Sequence, residues 1–357
     1  MKSIKEIGDI RNKKILLRAD LDVAVAENKI IETFRIDRQK ETIDYLVKNG
    51  AKLVIIGHIS DIDSFGPIIE QLNQLWSCRL EFLPRLTDVG SFLNNSQLNV
   101  AILENIRRFD GEKENSDDLG RKLANGFDFY INNNFAVCHR SHASVVAVTK
   151  FLPSYAGSQL MREVEILTKA INKPRAGKIV VIGGAKTETK IPVMKSFLAK
   201  SEKILIGGVV ANDFLKARGF EVGNSKVDSD PGKLFAGLEL DNPAIISPKD
   251  FVISDKKILD IGEKTIEEFS TIIRSAQMVI WNGPLGYFED EKFADGTRKI
   301  AEAIADVPES IVGGGDTISA INKFGLANKY TFISTGGGAM LEFLSGNQLP
   351  GLVALNR

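Results

Sequence analysis

Lys178-Ile179-Val180-Val181-Ile182-Gly183-Gly184-Ala185-Lys186-Thr187-Glu188-Thr189-Lys190 decides how the chain reads. Its first five residues form an apolar, β-branched run, the mark of a strand buried on both faces of a parallel sheet. Two glycines follow, and a helical pattern starts at once over 191–198. A strand that turns into a helix through glycine presents backbone N–H groups at a helix N-terminus, which is an anion site. Lys186 and Lys190 are four apart, on one helix face. They stand at the helix end whose dipole disfavours cations, so a strongly negative ligand accounts for both. The spacing is not the Gly-x-x-x-x-Gly-Lys-Ser/Thr of a P-loop.

The same strand-to-helix alternation extends in both directions. Short apolar runs occur at 14–20, 52–57, 100–103 and 127–131, and again at 204–206, 244–246, 278–281, 310–312 and 331–333. Helix-period stretches separate them, which implies parallel sheets covered on both faces. The fold class is therefore α/β: two doubly wound, Rossmann-like parallel-sheet domains with a hinge cleft. A periodic stretch at 159–171 meets no breaker before Pro174 and is expected to be the joining helix. The boundaries are 1–155 for the first domain, 156–172 for the connecting helix and 173–339 for the second domain.

At 357 residues the chain suits two domains. An apolar fraction of 43% excludes disorder. Lys+Arg and Asp+Glu balance at 46 each, so no basic field points to nucleic acid. There is no apolar signal core and no run of membrane-spanning length. Cys78 and Cys138 form neither a disulfide framework nor a zinc site. The expectation is a cytoplasmic protein without nucleic-acid or membrane partners.

Ligands of doubly wound sheets sit beyond the carboxyl ends of the strands, and the unusual residues gather there. After the opening run come Gly207-Gly208, Trp281-Asn282-Gly283-Pro284-Leu285-Gly286, Gly313-Gly314-Gly315-Asp316 and Ser334-Thr335-Gly336-Gly337-Gly338-Ala339. One glycine turn serves tight packing, whereas five in one domain point to backbone approach to phosphates. Asp316 suits a helix N-cap or a carboxylate for Mg²⁺. Thr317 offers a hydroxyl to a phosphate. Glu289 suits ribose hydroxyls or a helix N-terminus. The first domain carries Asp20, Asp22, His58, Arg107, His139 and Arg140 at strand ends, with Arg35 just beyond the first loop. Arginines so placed make bidentate contacts to phosphate or carboxylate. His139 and His142 are three apart but lack a third ligand at metal-site spacing. One phosphate-binding lobe and one arginine-rich lobe suggest a kinase that closes on two anions.

Over nearly its whole length the chain resembles the phosphoglycerate kinase family. The matching motifs, in order, are Leu103-Glu-Asn-Ile-Arg107, His139-Arg-Ser-His142, Gly183-Gly-Ala-Lys186 with Lys190, Trp281-Asn-Gly-Pro-Leu-Gly286, Gly313-Gly-Gly-Asp316, Ser334-Thr-Gly-Gly-Gly-Ala339 and Leu349-Pro-Gly-Leu352. The resemblance implies reversible phosphoryl transfer between 1,3-bisphosphoglycerate/ADP and 3-phosphoglycerate/ATP, with Mg²⁺, in a cytoplasmic monomer of glycolysis or gluconeogenesis. It implies that residues 340–357 return to the first domain. It assigns Arg35, Lys186, Gly314 and Gly337 to catalysis, and Asp20, Asp22, Arg35, His58, Arg107 and Arg140 to the acceptor. The nucleotide falls to Gly184, Ala185, Lys186, Lys190, Gly208, Asn282, Glu289, Gly313, Gly314, Gly315, Asp316 and Thr317, and the metal to Asp316.

The acceptor loops depart from the family pattern. An asparagine is replaced by Asp22 and a phosphate-binding arginine by Asp61; Arg38 and Arg108 are the arginines available to compensate. In the second domain Thr189 stands for an aspartate and Val209 for a glycine. Two alternatives follow: a related enzyme with another carboxylate acceptor, or a catalytically weak nucleotide-binding paralogue.

Overall fold

The computed structural model describes residues 1–356. The chain forms two units, Met1–Ile166 joined by the C-terminal residues from Gln348, and Leu167–Asn347.

In the first unit β1 (Lys14–Arg18), β2 (Lys52–Ile56), β3 (Glu81–Leu83), β4 (Val100–Leu103), β5 (Phe129–Asn132) and β6 (Ser154–Ala156) make one sheet in the order β3-β4-β2-β1-β5-β6. Every neighbouring pair is parallel. β1, β2 and β4 are buried almost throughout, as covered parallel strands require. β3 and β6 are the strands the sequence pattern missed. Each has only three residues, too few to show a period. The four-residue helix α1 (Phe34–Asp37) carries Arg35.

Helix α2 (Ser158–Asn172) leads the chain into the second unit. There β7 (Lys178–Ile182), β8 (Lys203–Ile206), β9 (Ile245–Ile246), β10 (Met278–Asn282), β11 (Glu309–Gly313) and β12 (Phe332–Ile333) form a sheet in the order β9-β8-β7-β10-β11-β12. That is the doubly wound order, and it reverses between β7 and β10. α3 (Ile191–Phe197), α4 (Gly208–Ala217), α5 (Gly315–Lys323) and α6 (Gly337–Leu344) each follow a strand end. The doubly wound reading thus describes both sheets.

Two features were not legible. Phe251–Ser254 pairs antiparallel with Lys257–Ile261. Its two turn residues, Asp255 and Lys256, have φ of 49° and 60°, a primed hairpin turn without the glycine that usually announces one. The C-terminal return starts at Gln348 rather than at 340. α6 stays in the second unit: Ser196 Oγ donates to Leu344 O at 3.1 Å, and Met340 lies against Gly313. Beyond it, Gly351 N–H donates to Cys138 O at 2.9 Å, tying the tail into the first unit.

Candidate functional site

In the second unit the strand ends stand in one row. Ile182 pairs with Ile206 and with Asn282, Asn282 with Gly313, and Val312 with Ile333. The loops at 183–184 and 283–284 therefore flank the switch point. Their backbones touch: a Cβ on Gly283, whose φ is +95°, would lie 2.1 Å from Gly183 O. Gly314, with φ +104°, has equally little freedom, since a Cβ there would lie 2.8 Å from Asn282 Nδ2. The Gly314 and Gly337 backbones are also in contact, which brings together the two glycines expected in catalysis.

The expected bare N–H groups at Gly183 and Gly184 are corrected. Gly183 N–H donates to Asn282 O, Gly184 N–H to Pro284 O and Gly208 N–H to Leu285 O, at 2.9, 2.6 and 3.0 Å. Loops this close satisfy each other's backbone. Among the described residues, no acceptor takes the N–H groups of Gly315, Asp316 or Thr317. The open donors are those of the first turn of α5, where the dipole also favours an anion.

The lysines do not share a helix face. Lys186 is left-handed, with φ 61°, and opens a 3₁₀ turn at Thr187–Thr189. Lys190 then precedes α3, whose first turn holds Pro192, a residue that starts helices well because it lacks an N–H. Lys186 is exposed. Lys190 is buried, and its ammonium donates to Ala185 O at 2.7 Å. Burial lowers its pKa to about 8, while Asp316 pulls the other way.

Asp316 is the second residue of α5, and Gly314 is the cap. Thr317 is fully buried, and its hydroxyl accepts Gly283 N–H at 2.7 Å. It builds the loop as an acceptor and keeps its own O–H as a donor. Asn282 Nδ2 donates to Gly313 O at 2.7 Å, a similar framing role. Next to these turns lies a cavity of about 360 Å³. Gly184, Ala185, Gly208, Glu289 and Asp316 line it, together with an apolar wall of Pro248, Phe251, Leu259 and Tyr287. That wall, much of it on the unforeseen hairpin, is what sequence reading missed. Phe251 and Leu259 carry no motif, and the hairpin turn brings them to the glycines.

In the first unit Arg18 pairs with Ile56 and Asn132 across the sheet, so the loops after β1, β2 and β5 converge. His58 is buried between two arginines, with Arg18 Nη2 3.1 Å from Nδ1 and Arg107 Nη2 3.1 Å from Nε2. Burial, then the charges of Arg18, Arg107 and Arg140, hold it neutral by pushing its pKa far down. A neutral imidazole has one acceptor nitrogen. His58 therefore accepts from only one of the two guanidiniums at a time, and Asp22 Oδ2 lies 3.5 Å from Nε2. Burial and the neighbouring Arg140 also lower the Arg107 pKa, the signature of crowded cations.

Arg35 Nη1 donates to Asp22 O at 2.8 Å, and its Nε lies 3.9 Å from Asp20. Asp20 is buried with both carboxylate oxygens lacking a hydrogen-bond partner among the described residues, and burial raises its pKa. Arg140 is exposed and donates to His139 at 3.3 Å. Arg38 stacks over Phe34, and Arg108 pairs with Glu104, so neither replaces an arginine at position 61. Among the described residues no three His, Cys, Asp or Glu side chains group as metal ligands, and no helix is long and apolar enough to cross a membrane. Sequence reading missed Arg18, which looks like an ordinary strand residue but is wholly buried and reaches His58 and Ser144.

The profile of the family described as phosphoglycerate kinase matches residues 4–347. The phosphoglycerate kinase of Dictyoglomus turgidum is 39% identical, over 97% of this chain and 96% of its own length. That of Thermosipho africanus is 35% identical, over 99% and 97%. Among solved structures, phosphoglycerate kinase from Pyrococcus horikoshii OT3 is similar with a TM-score of 0.88 at 31% identity, over 100% of this chain and 98% of that one. The Coxiella burnetii phosphoglycerate kinase gives 0.84 at 30%, over 99% and 98%.

Proposed function

This chain belongs to the phosphoglycerate kinase family, and from that premise we propose that its second unit binds the nucleotide and its first unit the phosphoglycerate. The chain is an ATP-dependent kinase. The proposed reaction is reversible transfer between ATP and the carboxylate of 3-phosphoglycerate, as a step of glycolysis or gluconeogenesis in a cytoplasmic monomer. A carboxylate oxygen of the acceptor attacks the γ-phosphorus, the bond to the ADP oxygen breaks, and 1,3-bisphosphoglycerate forms.

The observation that carries the nucleotide assignment is the α5 N-terminus with open N–H groups at 315–317 beside Lys190 and a cavity with an apolar wall. The wall suits a base, Glu289 a ribose, and the N–H groups with Lys190 the phosphates. Asp316 is the carboxylate that would hold Mg²⁺, which keeps most of its waters and needs one or two carboxylates. When bound, the ion neutralises phosphate charge. Lys186, exposed on its left-handed turn, and Arg35 would stabilise the moving phosphoryl group.

On the acceptor side, Arg107 and Arg140 suit the distal phosphate, with buried Arg18 holding His58 behind them, and the Asp20 carboxylate, which lacks a hydrogen-bond partner among the described residues, suits the acceptor hydroxyl. Transfer requires donor and acceptor to meet, so hinge bending is part of the proposal. A coupled assay with ATP, Mg²⁺ and 3-phosphoglycerate tests it. Folded protein that turns over nothing at high millimolar substrate sinks it; turnover only with another carboxylic acid reassigns the acceptor.

A further inference from the structure

The reaction above does not use Asp213, which lies fully buried in α4. Its Oδ2 accepts the Thr187 hydroxyl, and its Oδ1 accepts Asp228 N–H at 2.7 Å. A buried carboxylate is costly unless it is paired or hydrogen-bonded. This one is satisfied by donors from two separate segments. Burial raises its pKa, the Thr187 hydroxyl and the Asp228 N–H oppose that rise, and the Asp228 carboxyl beside it adds to it.

Both segments reach the nucleotide site. Thr187 directly follows Lys186, and Lys186 O accepts Thr189 N–H at 3.1 Å and the Thr189 hydroxyl at 2.8 Å. Lys186 is a non-glycine residue in the left-handed region. Such a conformation persists where the surroundings over-determine it, and here Thr189 holds the lysine's own carbonyl while Asp213 holds the residue after it. Asp228 lies two residues after Lys226, whose carbonyl accepts Asn212 Nδ2 at 3.2 Å. Asn212 and Lys226 both line the cavity. Consecutive residues of α4 therefore hold the cavity wall, and the second of them also holds the lysine turn.

We propose that Asp213 is a positioning residue for phosphoryl transfer: it fixes the Lys186 backbone to the wall of the nucleotide cavity, so that lysine and nucleotide keep one register. This rests on the assignment of Lys186 and the cavity to the donor side. Misplacing a reacting group by about 1 Å costs about a hundredfold in rate.

Steady-state kinetics of the full chain test it with Thr187→Val, Thr187→Ser, Asp213→Asn and the Thr187→Val/Asp213→Asn pair. Thr187→Val and Asp213→Asn are each expected to lower kcat about ten- to a hundredfold, with the KM for 3-phosphoglycerate within about twofold. Thr187→Ser keeps the donor and stays within about threefold of the parent. The double variant is no worse than the poorer single, because both remove one link. Folded Thr187→Val with kcat within about threefold of the parent overturns the proposal. So does Thr187→Ser falling as far as Thr187→Val, or losses that multiply in the double variant. If Asp213→Asn fails to fold, the Val and Ser pair at position 187 decides alone. A parent chain with no transfer activity is a different failure: it overturns the kinase reading itself.

Discussion

Asp22 Oδ1 accepts the backbone N–H of Ser60 at 2.8 Å, and the next residue, Asp61, returns the contact by accepting Val25 N–H at 3.3 Å. The two acidic departures in the acceptor loops thus clasp the loop after β1 to the loop after β2. Both have backbone partners, yet they differ in position. Asp22 lies 3.9 Å from Arg35 and 3.5 Å from His58, whereas Asp61 is exposed.

Asp22→Asn is therefore expected to lower the KM for 3-phosphoglycerate. The amide oxygen keeps the Ser60 contact, and the charge disappears. Repulsion between Asp22 and a phosphate about 8 Å away is about 2 kcal/mol at an effective dielectric of 20, worth up to about thirtyfold in affinity. Asp61→Asn, at the exposed rim, changes KM less than about twofold. Initial-rate measurements decide; an unchanged or raised KM for Asp22→Asn rules out an anionic acceptor at that corner.

Lys190 sets a pH dependence with two opposite signs. Its pKa falls from 10.5 to about 8 in the fold. Between those values the unfolded chain binds more protons, so its contribution to stability rises with pH from about 8 to 10.5. Nucleotide binding needs the charge, so MgADP affinity weakens as pH rises through 8. At pH 8.5 binding takes up a proton, visible in calorimetry as an enthalpy that varies with the buffer. Lys190→Gln abolishes both the slope and the uptake.

Gly314→Ala places a methyl group 2.8 Å from Asn282 Nδ2 at a φ of +104°. Strain of about 1–3 kcal/mol lowers Tm by about 3–10 °C and weakens nucleotide binding at least about tenfold. Gly315→Ala is the control, since nothing lies within 4 Å of the added carbon. Thermal unfolding with and without MgADP compares the two; equal Tm values exclude the close contact.

Thr317→Val leaves Gly283 N–H buried without its acceptor, a loss of about 1–3 kcal/mol, while Thr317→Ser retains the 2.7 Å contact. Thr317→Val is expected to lose stability and nucleotide affinity together, and Thr317→Ser neither. Denaturant unfolding and calorimetry measure the pair. If Val and Ser behave alike, the hydroxyl does not build the loop.

Asp316→Asn is expected to raise the Mg²⁺ concentration for half-maximal rate at least about tenfold, because one carboxylate is most of what the protein offers the ion. A rate titration against free Mg²⁺ at fixed nucleotide checks it. Unchanged activation assigns the metal elsewhere.

The parallel sheets, the glycine turns and the lysines were legible because each leaves a local mark. A strand covered on both faces must be a continuous apolar run, and a backbone that touches another backbone must be glycine. The hairpin at 251–261 was not legible, because Asp255 and Lys256 adopt its positive φ values without glycine. Nor were the tasks of Thr317 and Asn282, whose partners Gly283 and Gly313 lie 34 and 31 residues away in sequence.

The sequence by itself determined the doubly wound class, the family and the residue types at each strand end. Local propensity and burial pattern act within a few residues, so those features are written where they occur. Tertiary structure alone decided which groups are already spent and which are open. The N–H groups of Gly183 and Gly184 are consumed by the loop opposite, those of 315–317 are not, and Asp20 is left buried without a hydrogen-bond partner among the described residues. Hydrogen-bond satisfaction is settled only when distant segments meet, because a donor's partner is chosen by space and not by spacing.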